Sequence, residues 1–112
     1  EKSDFLRWVQ QAKPDLVITT EIDAYQWLVE AGYRIPQDLG FLVQGIYGND
    51  FEAAGLAGAY FPYWEVGASA VDLVIGQIYR NERGTDKRFK GVVIEPQWVN
   101  GTSVCERTKR VA

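Results

Sequence analysis

Leu16-Val17-Ile18, held between Lys13-Pro14-Asp15 on one side and Thr19-Thr20 on the other, is the stretch on which the fold turns. A short, unbroken apolar run with polar flanks is how a strand buried on both faces reads, and such strands belong to parallel sheets. A helix is expected just before it. Ser3 is placed to cap that helix, Phe5, Trp8, Val9 and Ala12 fall on one face, and Lys13-Pro14 stops it because the residue before proline disfavours the α region. After the strand, Thr20 is placed to cap a second helix. Glu21 and Asp23 in its first turn suit the positive end of the helix dipole, and Gly32 ends it in the left-handed conformation. The turn from Arg34 to Asp38 then leads into Gly40-Phe41-Leu42-Val43, a second buried-strand pattern. The order helix, strand, helix, strand predicts an α/β fold built on a βαβ unit.

Beyond Val43 come small residues from Ala53 to Ala59. Pro62 then opens a long third helix, Tyr63 to about Asn81, with Gly67, Val71, Val74, Ile75 and Ile78 as the expected buried stripe. Arg80-Asn81-Glu82-Arg83-Gly84 reads as its charged stop. Lys90-Gly91-Val92-Val93-Ile94 and Gln97-Trp98-Val99 are two closing strand-like runs, broken at Pro96.

The 112 residues, 46% of them apolar, suffice for one core, or part of one, without disulfides. A net charge of −3 lacks the basic excess of a surface that grips phosphates, which argues against direct nucleic-acid binding. The single cysteine, Cys105, fits a reducing compartment, and the cytoplasm is the expected location. The start, Glu1-Lys2-Ser3-Asp4, has neither an initiator methionine nor a secretory signal and reads as the beginning of a fragment. The longest apolar window, Val66 to Ile78, is interrupted by Ser69, Asp72 and Gln77, so no membrane span is expected.

Histidine is absent, and Cys105 therefore has no imidazole partner, which removes the common nucleophilic sets and most zinc sites. Glu21 and Asp23 form a carboxylate pair, but capping and dipole effects account for them. The glycines at 45, 48, 55 and 58 do not form a phosphate-binding fingerprint. No catalytic residue, metal or cofactor is expected. Asn100-Gly101-Thr102 matches a glycosylation sequon, yet Asn-Gly is also a favoured tight-turn pair, and the turn is the preferred reading.

Two features point to ligands and partners. Open parallel sheets bind ligands beyond the carboxyl ends of their strands, so Thr19, Thr20 and Glu21 after the first strand, with Tyr47, Asn49 and Asp50 after the second, form the candidate site. Ordinary solvated loop tips are the plainer account of the same residues. The second helix carries two apolar sides: Ile22, Tyr25, Val29 and Gly32 on one, Ala24, Trp27, Leu28 and Ala31 on the other. One sheet covers one stripe, so the other is expected to meet another helix or another subunit; burial within a larger chain is the alternative.

The segments Lys13-Pro14-Asp15-Leu16-Val17-Ile18, Ala31-Gly32-Tyr33-Arg34-Ile35-Pro36-Gln37-Asp38-Leu39-Gly40 and Val66-Gly67-Ala68-Ser69-Ala70-Val71-Asp72-Leu73-Val74 resemble the C-terminal third of LacI/GalR-family bacterial transcriptional regulators, over roughly residues 5 to 105. The most specific part is Glu30 to Gly40, where a glycine-ended helix, an Ile-Pro turn and an acidic step into a buried strand occur together. The resemblance implies part of a two-lobed, periplasmic-binding-protein-like fold with a parallel sheet flanked by helices. Residues 1–59 would belong to the C-terminal lobe, 60–95 would cross to the N-terminal lobe, and 96–112 would return. It also implies a small-molecule effector, a sugar or related metabolite, and operator DNA bound through a helix-turn-helix that this chain lacks. A homodimer is implied too, with Tyr25, Trp27, Leu28, Ala53, Ala54 and Gly55 at its interface; Thr20, Glu21, Asn49 and Asp50, taken from the strand ends, are the expected effector contacts. Where the family usually carries Asn-Asp after the first strand, this chain has Thr20-Glu21, and the family's aspartate after the second falls at Gly48. A periplasmic sugar-binding protein of the same fold and a small α/β enzyme fragment are the competing readings. The second is disfavoured by the missing histidine.

Overall fold

The computed structural model describes residues 1–46, 55–84, 88 and 90–106. It is an α/β structure with elements in the order α1 (Lys2–Ala12), β1 (Leu16–Thr19), α2 (Asp23–Glu30), β2 (Gly40–Ile46), β3 (Ala57–Tyr60), α3 (Tyr63–Tyr79) and β4 (Gln97–Val99). The strands form one four-stranded sheet in the order β1-β2-β3-β4. β1 pairs parallel with β2, from Leu16 opposite Gly40 to Thr19 opposite Val43, and β2 pairs parallel with β3. The chain divides into two compact units, one of Glu1–Tyr60 with Trp98–Ala112 and one of Phe61–Gln97.

In the first unit, α1 starts two residues earlier than a Ser3 cap requires, because the Phe5 N–H already bonds to the Glu1 carbonyl at 3.1 Å. It stops at Lys13, which turns left-handed (φ 48°) and bonds back to the Val9 carbonyl immediately before Pro14. Thr20 does not cap α2 either, since the helix begins at Asp23 without a side-chain cap. Gly32 does end it, with φ +94°, and the Tyr33 N–H reaches the Leu28 carbonyl at 3.0 Å. This is the left-handed stop that glycine adopts without a Cβ clash.

Val9 from α1 and Ala24 and Leu28 from α2 pack with Val17, Leu39, Phe41, Val43 and Leu56 into one buried cluster. β1 is buried on one face only: Val17 is enclosed, while Leu16 and Ile18 stay 42% and 59% exposed. The expected two-sided burial is therefore corrected. Both helices of this unit contribute to the cluster on the Val17 side, and neither covers the other face.

β3 answers to nothing anticipated beyond a run of small residues. Ala57-Gly58-Ala59-Tyr60 lacks the β-branched residues that mark strands. It is a strand because its backbone pairs parallel with β2, Leu42 opposite Ala57 and Val43 opposite Gly58. The chain crosses close beside its start: a Cβ on Gly101 would come within 2.4 Å of the Ala57 nitrogen and of the Leu56 carbonyl carbon. Gly101 carries no positive φ and serves close backbone approach, so the expected Asn100-Gly101 turn is replaced by a crossing beside the start of β3. Asn100 instead accepts the Trp98 indole N–H at 2.8 Å.

In the second unit, α3 follows Pro62 as expected, but it buries none of its residues. Val71, Val74, Ile75 and Ile78, read as a buried stripe, are 57%, 52%, 44% and 71% exposed. Residues 90–96 form no strand, although Val92 and Ile94 line a shallow cleft with Val66, Ser69, Ala70 and Leu73 of α3. Among the described residues of this unit, one helix and the segment 90–96 make a single layer, with no second layer to bury the remaining apolar side. No helix among the described residues is long and apolar enough to cross a membrane.

Candidate functional site

Parallel pairing places the carboxyl ends of β1, β2 and β3, at Thr19, Ile46 and Tyr60, on one edge of the sheet. Just beyond β1 the chain makes a tight polar turn in which the Thr19 hydroxyl accepts the Glu21 N–H at 2.9 Å. This side-chain bond holds the backbone away from helix for two residues, which is why α2 starts only at Asp23. Thr20 and Glu21 are left exposed at the tip, with a hydroxyl and a carboxylate facing solvent. Asp23 lies in the first helical turn, where the dipole favours its charge.

β2 approaches the same edge through an irregularity. Its register with β3 slips between Gln44 and Ile46, and Gly45 adopts φ +83°. A bulge of this kind bends a strand and redirects its continuation. Tyr47, Asn49 and Asp50, expected across from Thr20, lie outside the described residues, as do Ala53 and Ala54 of the expected interface. Tyr60, half-buried against the core at the end of β3, joins this edge without having been anticipated. No signal in the sequence pointed to it, since β3 itself had none.

A hydroxyl, a carboxylate and a phenol ring along a sheet edge are equipped for hydrogen bonding to a polyhydroxyl or amine-bearing molecule. They contain no nucleophile with a base beside it. Among the described residues there is no group of three or more His, Cys, Asp or Glu placed to hold a metal ion. A cleft lined by Val9, Lys13, Asp15, Tyr33, Asp38 and Leu39 opens at the opposite edge, before β1 and β2. Asp38 there is engaged by Arg34, whose guanidinium donates to its two carboxylate oxygens at 2.9 and 3.2 Å. This ion pair holds the Asp38 carboxyl below the usual carboxylate range.

The residues expected at a dimer interface fall into three situations. Leu28 is fully buried in the core, and its side chain is closed to any partner. Trp27 packs on Phe5 of α1, with ring centroids 5.9 Å apart, and Tyr25 meets Phe41 edge-on at 5.5 Å. Gly55 turns left-handed (φ +71°) beneath Thr102, whose N–H bonds to the Gly55 carbonyl at 2.8 Å. The second apolar side of α2 is thus met by another helix of the same chain. α1 covers Trp27, and a Lys2–Glu30 ion pair links the two helices and lowers the Glu30 pKa. The part of α2 left open is Ile22 and Val29, 37% and 49% exposed, on the side shared with Tyr25. Leu28 is accordingly withdrawn as an interface residue, while Trp27 and Tyr25 remain half-buried.

No protein-family model matches the chain, and no curated protein matches its sequence.

Proposed function

We propose that this chain is the ligand-sensing part of a transcriptional regulator whose operator affinity responds to a small polar metabolite, a sugar or a related compound. The observation that carries the reading is the common sheet edge. Parallel β1 and β2 end side by side, and the exposed Thr20-Glu21 tip stands where open α/β sheets receive ligands. The resemblance of Glu30 to Gly40 and its flanking segments to LacI/GalR regulators supplies the regulatory context. In that context the two compact units belong to the two lobes of a periplasmic-binding-protein-like fold. The effector favours one arrangement of the lobes by binding it more tightly, and the operator affinity of a DNA-binding domain outside this chain changes by the same coupling free energy. The regulator acts as a homodimer, with the open Ile22 and Val29 side of α2 as its contribution to the contact. The chain itself binds and does not catalyse.

The test is thermal unfolding of the intact regulator against a panel of monosaccharides, polyols and amino sugars. A cognate ligand at one hundred times its dissociation constant stabilises the folded form by about 2.7 kcal/mol. Thr20→Ala and Glu21→Gln should each reduce that shift while leaving the unliganded midpoint in place. A ligand whose shift survives both substitutions binds elsewhere and overturns the assignment of this edge.

A further inference from the structure

We draw no further inference here: the strongest candidate, the apolar side of α3 lined by Tyr63, Trp64, Gly67 and Val71, is open within its own unit, and nothing in the structure shows what covers it.

Discussion

Ser103 and Phe41 are joined twice: the Phe41 N–H donates to the Ser103 carbonyl at 2.8 Å, and the Ser103 hydroxyl donates to the Phe41 carbonyl at 2.6 Å. The same hydroxyl accepts the Ala57 N–H at 2.8 Å, so one buried side chain ties β2, β3 and the segment after β4 together. Removing it leaves two backbone groups inside the protein without their partner. Ser103→Ala should therefore cost about 1–3 kcal/mol of stability, read from the midpoint of urea unfolding. An unchanged midpoint would mean that solvent reaches these groups and that the clasp contributes nothing.

Gly101 supplies the clearance that lets the clasp close. A methyl group at this position meets backbone atoms of Leu56 and Ala57, which have no flexible side chain to move aside. Gly101→Ala is expected to destabilise by about 1–3 kcal/mol through forced backbone displacement. Because it disturbs the same contact as Ser103→Ala, the double variant should lose less than the sum of the two single losses. Full additivity in a denaturation cycle would show that the two sites act independently.

Neighbouring positions on α2 should separate folding from association. Leu28 is enclosed, and Leu28→Glu places a charge in the core, so loss of the folded state is expected, seen as loss of near-ultraviolet circular dichroism. Val29 is half exposed, and Val29→Glu should leave that signal intact while weakening self-association in sedimentation of the intact protein. A Val29→Glu protein that stays dimeric at low micromolar concentration would remove this side of α2 from the interface.

Acid should weaken the turn before β2. The Arg34 guanidinium, and after it the Arg34 N–H at 2.7 Å, hold the Asp38 carboxyl below its ordinary value of 3.8. A carboxyl whose folded pKa lies below its unfolded pKa contributes stability that is fully present above the unfolded value and is lost as the pH falls through the folded one. The Asp38 side-chain carbon resonance should accordingly titrate below 3.8 in the folded protein, and Arg34→Gln should move it back upward. A midpoint indifferent to Arg34→Gln would show that the pair does not persist in solution.

How far the residues announce their own structure differs from element to element. Leu16 to Ile18, Gly40 to Val43, the left-handed stop at Gly32 and the opening of α3 after Pro62 were legible because each depends on neighbours close along the chain. An apolar run, a missing Cβ or a ring-locked φ acts locally. The caps at Ser3 and Thr20 were misplaced by one rule overtaking another. Thr19, one residue earlier, bonds to the Glu21 N–H and delays α2, and the Glu1 carbonyl starts α1 ahead of Ser3. At the candidate site, the exposed Thr20-Glu21 tip could be found from strand ends alone, whereas Tyr60 depended on a strand that shows no β pattern.

By itself, then, the sequence determined the α/β class, the alternation of helices with strands and the absence of histidine chemistry. All three come from residue type and spacing. The tertiary structure decided which apolar side of α2 is closed, that Ala57 to Tyr60 is a strand, that Gly101 is there for closeness and not for turning, and that Ser103 bridges β2 and β3. The physical reason is distance along the chain. Phe5 meets Trp27, Phe41 meets Ser103 and Ala57 meets Gly101 across long stretches of chain, and a side chain's role in such contacts depends on what the fold brings opposite it.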